Sequence, residues 1–142
     1  MESVKVEEVT EETIGEFIEL ACSFDNSDKL ETIIHGSFNY MLVHDSTPIG
    51  VATMFRSSKY WSFHIYNVSI VKKFSNIHLY KFFIEQILAL AHREGGYNIN
   101  VICYDHKDSV LMQALEKLNF ELTRSDVYDF KLYTIFQPVH HF

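Results

Sequence analysis

One continuous stretch, Phe63–Ala91, constrains the fold of this chain more than any other part of its 142 residues. Its first part, Phe63–Val71, mixes alternating and consecutive apolar residues and predicts a buried strand. A polar turn over Lys72–His78 follows, and a helix is predicted from about Ile77 to Arg93. The apolar residues of this helix recur every three or four positions, at Leu79, Phe82, Phe83, Ile87, Leu90 and Ala91. Because such a helix start presents free N–H groups and the positive end of the helix dipole, the junction is suited to an anion such as phosphate.

The segment before this stretch predicts a strand, two helices and two further strands. Valines alternate with charged residues over Met1–Val9, which is typical of a half-exposed strand. A helix is predicted over Glu11–Phe24, with Thr10 or Thr13 as its N-cap. A second, short helix is predicted over Lys29–His35, where Gly36 ends it. The strands Phe38–His44 and Ile49–Arg56 follow, joined by a turn at Asp45–Pro48, which predicts an antiparallel meander.

The segment after the stretch predicts one more buried strand, one helix and a closing pair of strands. Glu94–Gly96 ends the long helix, and Asn98–Tyr104 is an apolar strand between two helices, expected to run parallel to the strand at Phe63–Val71. A helix over Ser109–Leu118 is followed by Asn119 as its C-cap and by the pair Phe120–Leu122 and Val127–Phe136. The element order β-α-α-β-β-β-α-β-α-β-β predicts an α/β fold: a mixed sheet of six or seven strands with helices on both faces.

The composition indicates one domain over residues 1–142 and narrows the classes of partner. Apolar residues make up 47% of the chain, too many for a disordered segment. The formal net charge of −7 argues against nucleic acid as the main partner, because binding phosphates requires a positive surface. No apolar run is long enough to span a membrane and the start lacks a signal-peptide pattern, so we expect a cytoplasmic protein. Cys22 and Cys103 are predicted to be buried, reduced thiols.

The element order and two motifs resemble the GCN5-related N-acetyltransferase (GNAT) superfamily over almost the whole chain. The segment Leu115–Phe120 (LEKLNF) is similar to the family pattern Y-E-K-L-G-F, with leucine in place of the usual tyrosine. The stretch Ser75–Tyr80 aligns with the family's glycine-rich turn, R-G-x-G-x-G, but contains none of its glycines. The resemblance implies a three-layer GNAT-like sandwich, acetyl-CoA as cofactor, and acyl transfer to the primary amine of a small molecule or peptide. It also allows a homodimer, since the C-terminal strands of this fold commonly pair with a second copy.

The resemblance assigns candidate site residues by position. The pantetheine arm of acetyl-CoA would pair with backbone groups of Val68, Ser69, Ile70 and Val71, and the pyrophosphate would lie at Ser75, Asn76, Ile77, His78, Leu79 and Tyr80. Lys72, Lys73 or Lys81 could add positive charge, and Asn76 is the residue there that best tolerates the left-handed backbone region. His64 occupies the position of the general base on the central strand, with packing among other aromatic residues as its alternative role.

A general acid is needed on the side of the leaving thiolate, and Leu115 cannot act as one. Tyr104 is the first candidate, with Tyr80 and Tyr66 as alternatives, although any of the three could serve only in packing. No metal site is expected, because the eight histidines show no ligand spacing such as H-E-x-x-H. Two functions stay open: an active N-acyltransferase, or a GNAT fold that has lost the reaction and serves as a binding or interaction module.

Overall fold

The structure is a computed structural model that describes residues 3–24, 38–57, 62–96, 98–126 and 129–136. The strands are β1 Val4–Glu8, β2 Phe38–His44, β3 Thr47–Arg56, β4 Ser62–Ile70, β5 Asn98–Tyr104, β6 Glu121–Ser125 and β7 Phe130–Phe136. The helices are α1 Ile14–Phe24, α2 Ile77–Arg93 and α3 Ser109–Lys117, with a 3₁₀ turn at Lys72–Phe74. The helix predicted at Lys29–His35 lies outside the described residues.

These strands form one seven-stranded sheet in the order β1-β2-β3-β4-β5-β7-β6. β4 and β5 are parallel, while β1–β2, β2–β3, β5–β7 and β6–β7 are antiparallel. The predicted α/β class, the mixed sheet and the parallel direction of β5 are therefore confirmed. No helix of the described residues combines the length and the apolar character needed to cross a membrane.

The chain packs into two compact units, and β4 contributes to both. The first unit contains Met1–Phe55 and Asn67–Ser75, and the second contains Arg56–Tyr66 and Asn76–Phe142. The prediction of a single domain stays a prediction.

In the first unit, α1 packs its apolar face on β2 and β3. The core combines Phe17 and Ala21 of the helix with Met41, Val43 and Val51 of the strands. The helix begins at Ile14, three residues later than predicted, because residues 11–13 form a turn.

Hydrogen bonds at this turn involve both candidate caps, and the Thr13 carbonyl accepts the N–H of Phe17 at 3.0 Å, at the start of α1. The carbonyl of Thr10 accepts the N–H of Ile14 at 2.9 Å, and Thr13 Oγ1 accepts the N–H of Thr10 at 2.8 Å. The turn between β2 and β3 is shorter than predicted. Asp45 and Ser46 both have positive φ (46° and 72°), which is typical of a two-residue type I′ hairpin turn.

In the second unit, the buried stripe of α2 is offset from the predicted one. Phe83, Ile87 and Ala91 are buried as predicted, whereas Leu79, Phe82 and Leu90 are only half-buried, and Tyr80 and Ile84 complete the buried stripe. The predicted face thus included residues at the edge of the buried stripe and omitted Tyr80 and Ile84 on its other side.

Both helices of the second unit end as the sequence predicts. Gly95 has φ 88°, and Gly96 lies so close to Phe63 that an added Cβ would be 1.9 Å from its ring. Asn119 has φ 68° beyond the end of α3, where the N–H of Phe120 donates to the Leu115 carbonyl at 3.0 Å. This is the Schellman arrangement, and it confirms Asn119 as the capping residue.

Candidate functional site

The first component of the site is an interruption of β4 at Asn67. The ladder between β4 and β5 contains four residue pairs, from Ser62↔Asn98 to Ile65↔Val101, and ends there although both strands continue. Asn67, two residues further on, has φ 56°. A single left-handed residue inside a strand breaks the regular alternation and turns the following groups, and Asn adopts this conformation more readily than other non-glycine residues. The signal for this interruption in the sequence is a lone asparagine in an apolar strand, and no prediction above used it.

The second component is the strand end after Asn67, which contains the four residues assigned to the pantetheine arm. Val68 and Ile70 are buried, and Ser69 and Val71 are half-buried. This segment is held against β3: the Val71 N–H donates to the Ile49 carbonyl at 2.8 Å, and a Cβ added at Gly50 would lie 3.0 Å from the Ser69 carbonyl oxygen. Since the side chains of Val68 and Ile70 belong to the core, these two residues have only backbone groups with which to bind a ligand.

The third component is the start of α2, where the family turn has its glycines. Ser75 and Asn76 are extended, with φ −71° and −153°, and α2 begins at Ile77. No residue from Val71 to Tyr80 has positive φ, so the backbone of this turn does not require glycine. Asn76, the residue of this turn that best tolerates the left-handed region, does not adopt it. Asn76 is instead the N-cap of α2, and its Oδ1 accepts the N–H of Leu79 at 2.8 Å.

This cap leaves two backbone donors at the helix start. The N–H groups of Ile77 and His78 have no acceptor in the part of the chain that the structure describes, as expected for the first turn of a helix. Their partial positive charge adds to that of the dipole of a 17-residue helix. The His78 side chain is exposed, whereas Tyr80 is 7% exposed because it lies on the buried face of α2.

Two lysines precede α2 in the sequence, and a third lies in its second turn. Lys72 and Lys73 are exposed on the 3₁₀ turn, and Lys81 is half-buried. The Lys73 ammonium lies 5.6 Å from the centroid of the Phe74 ring, and that ring packs 4.8 Å from the ring of His44. These three lysines lie within five residues of Asn76 along the sequence, in a chain whose net charge is negative.

The fourth component is a group of titratable aromatic side chains in the second unit. His64 and Tyr66 are two residues apart on β4 and face the same side, with ring centroids 6.3 Å apart. Burial lowers the pKa of His64, so the imidazole stays neutral and able to accept a proton near neutral pH. Burial, and then the proximity of Tyr104, raise the pKa of Tyr66, so this phenol keeps its proton. The structure thus brings together His64, Tyr66 and Tyr104, while Tyr80 lies apart on the buried face of α2.

Tyr104 is held in place at the end of β5. Its backbone N–H donates to Asp108 Oδ2 at 2.7 Å, and the Lys107 ammonium lies 5.4 Å from the centroid of its ring. Asp108 is buried, and this burial raises the pKa of its carboxyl group. The side chain of Tyr104 is 36% exposed and therefore accessible to a substrate. Leu115, at the position of the family tyrosine, is fully buried. The role of Asp108 was missed because its buried position is not visible in the sequence.

The described residues contain no cluster of His, Cys, Asp and Glu that could hold a metal ion. Both cysteines are free, as predicted. Cys103 is buried, and burial raises the pKa of its thiol far above the ordinary value. Cys22 is exposed, contrary to the prediction, because it lies beside the buried face of α1 rather than on it.

No family model matches the sequence, and no curated protein matches it. Solved structures do match over almost their full length. An IAA acetyltransferase from Bacillus cereus has 15% identity and a TM-score of 0.79, with 94% of this chain and 99% of that chain covered. A GNAT family acetyltransferase from Elizabethkingia anophelis, with acetyl-CoA bound, has 14% identity and a TM-score of 0.79 over 94% and 97% of the two chains. The PaiA N-acetyltransferase from Thermoplasma acidophilum, in complex with coenzyme A, has 12% identity and a TM-score of 0.71 over 94% and 99%.

Proposed function

The chain has the fold of the GNAT acetyltransferases, and from that premise we propose that it is an N-acyltransferase. It would transfer an acetyl or longer acyl group from acyl-CoA to the primary amine of a small molecule or peptide. The observation that carries the proposal is the start of α2, where a turn without positive φ precedes two N–H groups that lack an acceptor among the described residues. The missing glycines argue against acyl-CoA where the backbone needs positive φ or a ligand needs the space of a Cβ, and the first need does not arise in this turn.

The residues at the two ends of the turn fit acyl-CoA in different ways. Backbone groups of Val68–Val71 would pair with the pantetheine arm, which needs no particular side chain there. The N–H groups of Ile77 and His78 would donate to the pyrophosphate, with charge added by Lys72 and Lys73. Of the six residues aligned with the family turn, Ser75 and Asn76 would set the path of the backbone. Leu79 and Tyr80 would not contact the pyrophosphate directly, because the N–H of Leu79 donates to the cap and the Tyr80 side chain is buried.

Acyl-CoA supplies the activated thioester, and the chain must then move protons. The attacking amine has to lose a proton, and the leaving thiolate has to gain one. His64 would accept a proton from the amine nitrogen, directly or through water, because its lowered pKa keeps it neutral. Tyr104 would protonate the thiolate, and Tyr66 would be the alternative acid because its raised pKa keeps its proton in place.

Thermal unfolding with and without acyl-CoA tests the proposal. A ligand at about 100 times its dissociation constant stabilises the folded state by about 2.7 kcal/mol, which is measurable as a higher Tm. We expect this shift with acetyl-CoA or a longer acyl-CoA, and thiol release when an amine is added. His64→Gln should lower the rate of thiol release and leave the Tm shift intact. Absence of a Tm shift with every acyl-CoA would refute the proposal.

A second function, that of a binding module formed by two copies of this chain, is favoured by one edge of the sheet. β6 is the terminal strand in the sheet order, and all five of its residues are exposed. Leu122 on this strand is 48% exposed, and Phe136 at the end of β7 is 72% exposed. An exposed edge strand with apolar side chains can pair with another strand. Sedimentation of the wild type and of Leu122→Lys would test this: a dimer that the substitution converts to a monomer supports it, and a monomeric wild type refutes it.

A further inference from the structure

A histidine and an aspartate outside the site described above form a close pair in the second unit. Asp129 accepts two hydrogen bonds from the same residue: its Oδ1 accepts the backbone N–H of His106 at 2.8 Å, and its Oδ2 contacts the Nδ1 atom of the ring. The hydrogen bond from His106, above all, lowers the pKa of the Asp129 carboxyl group, which therefore stays ionised. Asp129 has φ 73°, a conformation that Asp adopts more readily than most residues.

This geometry determines which ring nitrogen of His106 can accept a proton. An ionised carboxylate only accepts hydrogen bonds, so the ring hydrogen lies on Nδ1 and Nε2 carries the free lone pair. The side chain of His106 is 66% exposed, so Nε2 can exchange its proton with water.

The pair lies beside the proposed acid. The rings of His106 and Tyr104 have centroids 6.1 Å apart, and both residues are at the C-terminal end of β5, the edge at which parallel strands commonly bind ligands. A substrate bound against the exposed side chain of Tyr104 would therefore lie close to His106.

The other charged groups around His106 have different partners. Asp105 pairs with Lys131, and the Asp108 carboxylate accepts the N–H of Tyr104 at 2.7 Å. Lys107 lies over the ring of Tyr104. Asp129 is thus the carboxylate that hydrogen-bonds to His106, while the Asp108 carboxylate interacts with it only electrostatically.

We propose that His106, oriented by Asp129, takes the first proton from the acceptor's ammonium group. The inference rests on the proposed acyl transfer. An alkylammonium nitrogen must lose two protons to become an amide nitrogen. In the first step, one N–H bond breaks, its electron pair stays on nitrogen, and Nε2 of His106 binds the proton and releases it to water. After the neutral amine attacks the thioester, His64 takes the second proton, the carbon–sulfur bond breaks, and the thiolate takes a proton from Tyr104.

The test compares two classes of acceptor. An arylamine is uncharged at neutral pH and needs no first deprotonation, whereas an alkylamine is charged. His106→Asn keeps an N–H donor at the position of Nδ1 and so keeps the bond to Asp129, but it removes the base. We expect this variant to lower kcat/KM for the alkylamine at pH 7 by about 100-fold or more, which is the usual contribution of a general base. The kcat/KM for the arylamine should stay unchanged. The defect should disappear as the pH approaches the pKa of the alkylamine.

Further variants separate this role from a structural one. Asp129→Asn, which tolerates the same φ, should show a smaller defect restricted to the alkylamine. Asp105→Asn, which removes a carboxylate from the same turn, should keep the wild-type pH profile. If His106→Asn lowers kcat/KM equally for both amines, or for neither, the inference is overturned. Activity of the wild type would in that case still support the proposed function. A wild type that binds no acyl-CoA and acylates neither amine would refute the proposed function itself.

Discussion

The left-handed residue in the middle of β4 provides a quantitative test of the site's architecture. Asn67 has φ 56°, a region that costs an ordinary L-residue roughly 1–2 kcal/mol, and more when the side chain is β-branched. This free-energy cost is smaller for asparagine, because its short polar side chain tolerates the left-handed conformation. We therefore expect Asn67→Ala to lower the free energy of unfolding by about 1 kcal/mol and Asn67→Val by about 2 kcal/mol.

Glycine provides the matched control for this series. Asn67→Gly removes the strain at positive φ but increases the entropy of the unfolded chain, so the two effects nearly cancel, to within about 0.5 kcal/mol. Urea unfolding measures these differences. Thermal unfolding should show a drop of roughly 3 °C for each 1 kcal/mol in a chain of this size.

The same substitutions should affect ligand binding in the same order. A straightened strand would redirect the backbone groups of Val68–Val71 that are proposed for the pantetheine arm. Asn67→Val should thus weaken acyl-CoA binding more than Asn67→Gly. An Asn67→Val variant as stable as the wild type, or an alanine variant more stable than the glycine variant, would refute the reasoning.

Three further predictions concern packing, capping and pH. Gly96→Ala should lower the free energy of unfolding by about 1–3 kcal/mol, because its Cβ would overlap the fully buried ring of Phe63; unchanged urea midpoints would contradict this. Asn119→Ala should destabilise by about 1 kcal/mol, because φ is 68° there, while Asn119→Gly should match or exceed wild-type stability; calorimetry of both variants checks the order. Burial lowers the pKa of His64 in the folded state. The folded protein is therefore most stable above the unfolded pKa of about 6.5, and it loses stability as the pH falls from there through the lower pKa of the folded state. His64→Gln should abolish that part of the pH dependence, and unchanged curves of Tm against pH would rule it out.

Much of the fold could be predicted from the sequence because its signals are local. Apolar periodicity located α2 at Ile77–Arg93, and the residues after each helix, Gly95 and Asn119, identified the ends. The antiparallel and parallel connections followed from the lengths of the segments between strands. Asn67 escaped this reasoning because a positive φ inside a strand is set by the packing of its neighbours, not by the residue alone.

The candidate site was less predictable, for a physical reason. The turn before α2 departs from the family pattern because it contains no glycine. A glycine is required there only where the backbone adopts positive φ or a ligand needs the space of a Cβ. The first condition does not apply between Val71 and Tyr80, and Asn76 serves as a cap instead. The pair of His106 and Asp129 spans 23 residues of sequence, so no local pattern indicated it.

The central claim is that the start of α2 binds a pyrophosphate without glycines, and a comparison of two ligands tests it most directly. Acetyl-CoA carries the pyrophosphate, and S-acetylpantetheine lacks it, so the difference between their binding free energies contains the contribution of the helix start. Titration calorimetry should be done with the wild type, Asn76→Ser and Asn76→Asp. Both substitutions keep the N-cap, but aspartate adds a negative charge beside the N–H groups of Ile77 and His78.

We predict that the wild type binds acetyl-CoA more tightly than S-acetylpantetheine. Asn76→Ser should keep this difference in binding free energy. Asn76→Asp should reduce it by at least about 1 kcal/mol, roughly the strength of one charge-assisted contact. Equal affinity of the wild type for both ligands, or an Asn76→Asp variant that keeps the full difference, would contradict the account.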